Sequence, residues 1–474
     1  MKKWIAGALG AVLSLSTVFG FVGCGGGDSS SDSSSEEISS SSEISSEEVS
    51  SEEISSDSSV EETDLATLYG VDKSNLYGFF EPLWEKRVDS TQDQIKCFDL
   101  DVTIDLMEAM GCSSIRFYLP SKIFNKFFVD YETGDIEISL DATIVEYFHE
   151  ASSKLIASGI DCLVGESTVF PPFRSDSGVN ALQGMLTVPQ YGVDSAYEIW
   201  LKAVEEAWKT VTAEFPEVTV WEMGNEYNTD NYFHPVGFDK TTQTGGFSYN
   251  EMISTNLDYM YYSNKGIVAG NPNAVSLTPG YTSMGDMSTR ALEYFYDELY
   301  YQIESGEYPR VGDDKTTDTD AFFGGIAYHP YNFIGWDDRF VELNNDIYDV
   351  IIAHGDIGKK VYFTEVGWYD DFSDTKIESQ TEAIRKLYSA CENDMWYVEC
   401  CLYFRFYNCE YDWSGGGAGN PEKSFGVFYE PSTTKGFMPK TKAEVMKEIF
   451  GGTGNLEMWS DLTALQEQVA NSRW

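Results

Sequence analysis

The sequence predicts an α/β fold of the (β/α)8 barrel class (TIM barrel), in which eight parallel strands alternate with helices. Eight short apolar or β-branched runs follow one another, and most are separated by segments whose apolar residues recur at helical spacing. Two of these runs, the fourth and the seventh, also lead into a glutamate, at the point where a barrel strand presents side chains to a shared cavity. A doubly wound open sheet is the main alternative, because it too alternates strands with helices.

The predicted strands can be numbered from one to eight in chain order. They are Leu76–Glu81, Ser113–Leu119, Ile160–Gly165, Val218–Met223, Ala274–Thr278, Gly325–Tyr328, Lys360–Thr364 and Cys400–Phe406. The clearest helical stripe runs from Tyr197 to Phe215, with apolar residues three and four apart, and Pro216 closes it. Similar stripes predict helices at Thr143–Ala157, Arg290–Ile303, Ile377–Cys391 and Thr441–Phe450.

The N-terminus has the pattern of a secretory signal peptide. Lys2 and Lys3 precede a mainly small and apolar stretch, Ile5–Phe21. The stretch ends at Phe21-Val22-Gly23-Cys24, which resembles a bacterial lipobox, so we expect residues 1–23 to be removed and Cys24 to carry a lipid. An ordinary signal peptide with an incidental cysteine is the alternative.

Residues 24–63 are rich in Ser and Glu and contain no aromatic residue, which is typical of a disordered, extended tether. The folded domain is therefore expected at residues 64–474. This arrangement predicts a location outside the cytoplasm, anchored to the bacterial cell membrane as a lipoprotein. We also expect a monomer, although the sequence contains no signal for the oligomeric state.

The chain is strongly acidic, with a formal net charge of −47. Thirteen acidic residues lie in the tether region between positions 28 and 64, but the rest of the chain is also acidic. Nucleic acid is excluded as a partner, because its phosphates need basic patches. A neutral polysaccharide or oligosaccharide is compatible with this charge.

The cysteines and histidines do not predict a metal site. Apart from Cys24 there are seven cysteines, an odd number, and most lie near predicted strands or helices, which indicates buried thiols; one bridge among residues 391, 400, 401 and 409 stays open. The sequence has no Cys-x-x-Cys, and its four histidines are far apart. We expect no metal and no cofactor, although the acidic run Gly312–Asp320 leaves calcium as an alternative without EF-hand spacing.

Two predicted strands end in carboxylates. The fourth continues into Gly224-Asn225-Glu226, and the seventh into Glu365-Val366-Gly367-Trp368. Either glutamate alone could form a structural ion pair, since Gly-Asn-Glu is common by chance. Two carboxylates on two strand ends of one barrel, however, are what glycoside hydrolysis needs: one protonates the leaving oxygen, and the other attacks carbon or activates water.

With these motifs in place, residues 72 to 450 resemble the retaining glycoside hydrolases of clan A, and the His-Pro-Tyr pattern favours families such as thirty-nine or five. The resemblance implies that Glu226 is the acid/base and Glu365 the nucleophile. It implies that Arg116 holds the nucleophile and that Asn225 binds the sugar 2-hydroxyl. Arg116 could instead form a purely internal ion pair.

Further substrate contacts follow from the same resemblance. His329 and Tyr331, in Tyr328-His329-Pro330-Tyr331, match the sixth-strand pair of the clan, although His329 could instead be a core histidine. The clan often has tryptophan at the end of strand eight, where this chain has Phe404-Arg405-Phe406-Tyr407. An aromatic platform is expected from Phe406, from Trp413 in the following loop, and from Trp368 after Glu365.

The resemblance therefore implies a retaining glycosidase that acts on a β-linked polysaccharide of the plant cell wall or its oligosaccharides. A surface lipoprotein that binds carbohydrate on a barrel scaffold without cleaving it is the alternative from another class. A solute-binding lipoprotein would share the lipobox and the tether, but it predicts two open-sheet lobes.

Overall fold

A computed structural model describes most of the folded part of the chain. The described residues are 62–81, 83, 85–89, 92–96, 100–120, 123–166, 186–188, 195–239, 242–283, 289–312, 314–331, 339–370, 374–408, 424–429 and 437–459. The predicted signal peptide, Cys24, the tether up to residue 61 and Trp413 lie outside these ranges.

Eight parallel strands form the predicted barrel. They are β1 (Tyr77–Phe80), β2 (Ser114–Tyr118), β3 (Cys162–Glu166), β4 (Val220–Glu222), β5 (Val275–Leu277 and, after a break, Tyr281–Thr282), β6 (Ile326–His329), β7 (Val361–Val366) and β8 (Val398–Phe404). Each strand pairs with the next, and β1 pairs with both β2 and β8. A parallel bridge between Leu277 and Gly325 joins β5 to the start of β6, so the sheet closes into a barrel. The (β/α)8 prediction is confirmed, and the open-sheet alternative is excluded.

Helices separate most of the strands and cover the outside of the barrel. They are α1 (Glu62–Leu68), α2 (Leu100–Met110), α3 (Ala142–Ala157), α4 (Ser195–Glu214), α5 (Tyr249–Gly270), α6 (Thr289–Glu304), α7 (Phe340–Ala353), α8 (Asp374–Asn393) and α9 (Thr441–Phe450). The stripe that predicted α4 is its buried face, where Leu201 and Trp208 are fully enclosed. Helix α1 begins two residues before the expected domain boundary at residue 64.

The barrel interior changes from apolar to polar along the strands. Its apolar layer is separate from the core beneath the helices and consists of Cys162, Val164, Val220, Leu277, Ala327, Tyr362, Cys400 and Leu402. Alternate residues of a strand face the same side. Two positions after Val164 and Val220, β3 and β4 therefore place Glu166 and Glu222 inside the barrel. The polar layer lies at the carboxyl ends of the strands, where barrel proteins carry their active sites.

Three strand pairs outside the barrel were not predicted. Glu85–Asp89 pairs with Gln92–Lys96, and Phe124–Val129 pairs with Ile136–Leu140, both antiparallel. Leu186–Val188 and Phe233–Pro235 form a short parallel pair. All of them lie in connections that follow β1 to β4.

The five described cysteines, at positions 112, 162, 391, 400 and 401, are buried free thiols. The disulfide alternative therefore has no support among the described residues, and Cys97 and Cys409 lie outside them. Over the same ranges, none of the helices combines the length and apolarity that a bilayer span requires.

Candidate active site

Arg116 lies at the centre of a buried polar cluster inside the barrel. Its Nε donates to Glu222 Oε2 at 2.5 Å, and one terminal nitrogen lies 2.5 Å from Glu166 Oε2. The other terminal nitrogen donates to Glu365 Oε1 at 2.5 Å, and Asn225 Oδ1 accepts a further bond at 3.0 Å. The side chain is fully buried. One guanidinium group therefore joins β2, β3 and β7 with β4 and its tip.

Glu365 and its neighbour Thr364 both contact this cluster, although consecutive residues of a regular strand face opposite sides. A β-bulge accounts for this, because the three steps across Phe363–Val366 of β7 are paired with only two steps on β8. Thr364 Oγ1 donates to Glu222 Oε1 at 2.6 Å, and the Tyr331 hydroxyl donates to Glu365 Oε2 at 3.0 Å. Both oxygens of Glu365 are thus hydrogen-bonded.

Glu226 follows β4 in a left-handed backbone conformation, with φ 55°. Non-glycine residues seldom adopt this conformation, and such strained positions concentrate at functional sites. Its backbone N–H donates to the Gly280 carbonyl at 2.9 Å, which ties the tip of β4 to β5. Its side chain is buried, and Oε1 lies 3.2 Å from His329 Nδ1. The strand-end geometry therefore turns the Glu226 carboxyl group towards β6.

His329 lies between the two candidate catalytic carboxyl groups. Its Nδ1 is 3.2 Å from Glu226 Oε1 and 3.8 Å from Glu365 Oε2, and the ring is fully buried. Gly280 packs against the other edge of the ring, where an added Cβ would be 2.5 Å from Nε2 and 2.3 Å from Glu222 Oε1. His329 therefore contacts both carboxyl groups from a buried position inside the barrel.

The two carboxyl groups have opposite pKa shifts. Burial, with the nearby charge of Glu365, raises the pKa of Glu226 against the opposing effect of His329. Burial would also raise the pKa of Glu365, but His329, Arg116 and the Tyr331 hydroxyl outweigh it and hold that pKa below its usual value. The site therefore contains one carboxyl group suited to carry a proton beside one suited to stay ionised.

The carboxyl groups are close together. One oxygen of Glu226, one of Glu365 and a ring nitrogen of His329 lie within 4.8 Å of one another. Retaining glycosidases separate their carboxyl groups by about 5–5.5 Å, and inverting ones by about 6.5–9.5 Å. The same three groups are the cluster of possible metal ligands found among the described residues, so any ion bound there would occupy the catalytic position.

Of the aromatic residues predicted to bind substrate, Tyr331 contacts the predicted nucleophile, Glu365, whereas the Trp368 ring packs against the core. Tyr331 reaches Glu365 through its hydroxyl, and its ring lies 6.4 Å from that of Phe404. Trp368 is only partly buried, but its backbone N–H and carbonyl both bond the Tyr403 hydroxyl, and its ring packs against the core. Trp413 lies outside the described residues.

The position of Phe406 contradicts the expectation that its ring forms a platform for a sugar. Its ring is fully buried and packs against Phe79 and Phe428, so a sugar could not stack on it without rearrangement. The partly exposed Phe404, two residues earlier, stacks on Phe80 at 5.3 Å, and the Arg116 guanidinium lies 4.9 Å from the Phe80 ring centroid. Phe404 is therefore the β8 aromatic that lies beside the site.

Three further members of the cluster, Glu166, Glu222 and Thr364, were not among the residues that the sequence predicted for the site. Glu222 bonds Arg116 and Thr364, and Glu166 bonds Arg116. Alternate residues of β3, β4 and β7 face the barrel interior, and these inward positions change from apolar to polar towards the end of each strand. This change was the sequence signal for Glu166, Glu222 and Thr364.

Comparison with known proteins identifies no family. No protein-family model matches the chain, and no curated protein matches it. Many solved structures do match in fold, among them xylanase 10B from Thermotoga petrophila RKU-1, at 16% identity over 83% of this chain and 97% of that chain, with a TM-score of 0.47.

Two others are a family 39 glycoside hydrolase from Bacteroides cellulosilyticus WH2 and a β-glucosidase from Thermotoga maritima. The first is 13% identical over 83% of this chain and 65% of that chain, with a TM-score of 0.48. The second is 13% identical over 74% of this chain and 86% of that chain, with a TM-score of 0.47. At such identities these likenesses carry no information about the chemistry of this chain.

Proposed function

We propose that this protein is a retaining glycoside hydrolase, with Glu226 as acid/base and Glu365 as nucleophile. The observation that carries the proposal is the pair of carboxyl groups with opposed pKa shifts at the carboxyl ends of β4 and β7, with oxygens within 4.8 Å. This spacing leaves no room for a water molecule to attack between Glu365 and the anomeric carbon, so direct attack by the carboxylate is favoured.

In the first step, Glu226 gives its proton to the glycosidic oxygen while Glu365 forms a bond to the anomeric carbon. The bond between that carbon and the leaving oxygen breaks, and the aglycone departs as an alcohol. Glu226 is then ionised beside a Glu365 that has become a neutral ester. Loss of the Glu365 charge lowers the pKa of Glu226, which prepares Glu226 to act as a base.

In the second step, Glu226 removes a proton from water, and the resulting hydroxide equivalent attacks the anomeric carbon from the face that the aglycone left. The bond to Glu365 breaks, and its carboxylate is stabilised again by Arg116 and Tyr331. Two inversions at the same carbon give a product with the configuration of the substrate.

We further propose that the substrate is a β-linked polysaccharide of the plant cell wall, or an oligosaccharide derived from one. The partly exposed ring of Phe404 beside Tyr331 offers a surface for a sugar face. The acidic chain fits a neutral glycan better than a polyanionic one.

The test is hydrolysis of a panel of plant polysaccharides and aryl β-glycosides by the wild type, Glu226→Gln and Glu365→Gln. Glu399→Gln is the matched control, because Glu399 is a buried carboxylate on β8 paired with Lys360 away from the cluster. On the polysaccharides we expect the first two variants to lose at least about a thousandfold in kcat/KM and the control to keep its activity. On activated aryl glycosides, whose leaving group needs no acid, only Glu365→Gln should lose this much. NMR of the first-formed product should show retained anomeric configuration.

Two results would overturn the proposal. An inverted product would exclude Glu365 as nucleophile. A wild type that binds a glycan but cleaves none of the panel would make the chain a carbohydrate-binding protein on a barrel scaffold, which is the alternative from another class.

We also propose that the protein is held at the outer face of the bacterial membrane by a lipid on Cys24. The support is the lipobox-like Phe21-Val22-Gly23-Cys24 and the Ser- and Glu-rich stretch that follows it. Wild type grown with labelled palmitate should carry the label in the membrane fraction, and Cys24→Ser should lose it. Unlabelled wild type would refute the anchor.

A further inference from the structure

Of the three carboxyl groups that bind Arg116, the one on Glu166 has incomplete hydrogen bonding. Both oxygens of Glu222 are bonded, to Arg116 and Thr364, and both oxygens of Glu365 are bonded, to Arg116 and Tyr331. Glu166 bonds Arg116 through Oε2, whereas its buried Oε1 has no hydrogen-bond partner among the residues that the structure describes. The residue is only 2% exposed. A buried polar atom without a partner is rare, so it calls for an explanation.

The charge of the cluster bears on the state of Glu166. Arg116 supplies one positive charge to three carboxyl groups, on Glu166, Glu222 and Glu365. Both oxygens of Glu222 and both oxygens of Glu365 already have hydrogen-bond partners. Burial raises the pKa of Glu166 well above its usual value; Arg116 opposes the rise, and the charges of Glu222, Glu365 and Glu226 add to it. The surroundings of Glu166 therefore favour its protonated form over its ionised form.

Glu166 lies close to the strand and the amide group that are expected to contact the substrate. It ends β3 and is in register with Glu222 on β4, the strand that continues into Asn225 and Glu226. Arg116 contacts Glu166 and Asn225 with the same terminal nitrogen, at 2.5 Å and 3.0 Å. The Glu166 carboxyl group thus lies next to the amide expected to bind the sugar beside the cleaved bond.

We propose that Oε1 of Glu166 binds a hydroxyl group of the sugar on the nucleophile side of the cleaved bond and thereby helps to select that sugar. This inference rests on the proposed glycosidase function. A neutral carboxylic acid can donate a hydrogen bond to the hydroxyl group as well as accept one from it. The site then selects a neutral sugar, because a uronic carboxylate would meet Glu222 and Glu365 while Arg116 is already occupied by carboxylates.

The experiment compares the full-length wild type with Glu166→Gln and Glu166→Ala. The substrates are the best aryl glycoside of the panel, its monodeoxy analogues and the corresponding glycuronide. Glutamine keeps the size and the neutral polar end of a protonated glutamate. We expect Glu166→Gln to stay within about threefold of wild type and Glu166→Ala to lose about tenfold in kcat/KM, the worth of one neutral hydrogen bond.

The deoxy series isolates the contact. With one of the analogues, which lacks the bound hydroxyl, wild type and Glu166→Ala should become equal within about twofold, while the other analogues keep the tenfold gap. An equal loss by Glu166→Ala on every analogue would overturn the proposal, as would a glycuronide cleaved as fast as the neutral glycoside. A Glu166→Gln variant as impaired as Glu166→Ala would show that the charge of Glu166 is needed, and that too would overturn it.

Two measurements separate failure of this proposal from failure of the glycosidase function. The infrared difference spectrum between wild type and Glu166→Gln at neutral pH should contain the C=O stretch of a carboxylic acid, and a carboxylate band would refute the neutral state. Calorimetry with the free sugar and its deoxy analogues should give the same pattern in binding. If the wild type cleaves nothing, this binding pattern still decides the role of Glu166.

Discussion

The hydroxyl group of Tyr331 offers a single-atom test of how the site keeps Glu365 ionised. It donates to Glu365 Oε2 at 3.0 Å, and it is one of the causes that hold the pKa of Glu365 below its usual value. Tyr331→Phe removes this bond and keeps the ring, which contacts Phe404 and Phe425. A hydrogen bond to a charged group contributes about 1.5–3 kcal/mol, so its loss should raise the pKa of Glu365 by about 1–2 units.

The sign of the effect follows from the role of Glu365. The nucleophile must be ionised, so activity is lost as the pH falls through its pKa, and a raised pKa moves this acidic limb to higher pH. The assay is the pH dependence of kcat/KM for an aryl glycoside, measured for wild type and Tyr331→Phe. We expect the acidic limb to shift upward by about 1–2 units and the basic limb to stay in place.

Tyr300→Phe is the matched control, because the buried Tyr300 hydroxyl donates to the Asp356 carboxylate at 2.8 Å away from the cluster. It should lower the thermal midpoint without moving either limb. An acidic limb that stays in place in Tyr331→Phe, within 0.3 units or so, would refute the view that this hydroxyl stabilises the ionised nucleophile.

Three further predictions follow from the same cluster. Because the pKa of Glu226 is raised, wild-type activity should fall on the alkaline side of the pH profile as Glu226 loses its proton. Glu226→Gln, assayed on a substrate with an activated aryl leaving group, should lack this alkaline limb. An alkaline limb of unchanged pKa in the variant would assign the limb to another group. Gly280→Ala should lower the free energy of unfolding by about 1–3 kcal/mol and reduce kcat, because its Cβ would clash with His329 Nε2 at 2.5 Å. Gly134→Ala is the control, because the nearest atom to its Cβ is at 3.9 Å, and it should leave kcat unchanged. Equal kcat in the two variants would contradict this prediction. Zn²⁺ should inhibit competitively with substrate, and a chelator should reverse the inhibition. Nδ1 of His329 lies 3.2 Å and 3.8 Å from oxygens of Glu226 and Glu365, and Zn–ligand bonds of about 2.0 Å imply a similar spacing of about 3.3 Å between ligand atoms. Inhibition that does not depend on substrate concentration would place the ion elsewhere.

The barrel could be predicted from the sequence because each strand is a short apolar run between turn signals. The run before Glu226 and the run before Glu365 both showed where a strand ends, and the structure places those residues at the ends of β4 and β7. The external pair of Phe124–Val129 with Ile136–Leu140 was missed because its strands mix charged and polar residues with apolar ones at exposed and half-buried positions. Local sequence carries only a weak signal for such strands.

The details of the site depend on deviations from regular strands. Glu365 faces the cluster only because of the bulge in β7, and Glu226 only because of its left-handed backbone. The alternation of inward and outward residues along a regular strand predicts neither the bulge nor the left-handed residue. Strand eight shows a third deviation. Phe404 and Phe406 would share a face in a continuous strand, but β8 ends at Phe404, and Phe406 beyond it lies in the core.

The shared guanidinium group of Arg116 has a consequence for how this protein can change over generations. Its ties to β3, β4 and β7 cross the interior of the barrel, so the residues that hold the nucleophile also hold neighbouring strands together. Loss of Arg116 alone would leave Glu222 as an uncompensated buried charge, which costs more than the pair contributes. A descendant that abandons catalysis therefore cannot discard these residues one at a time. It must replace them jointly by apolar side chains or keep an unused set of carboxyl groups inside its barrel.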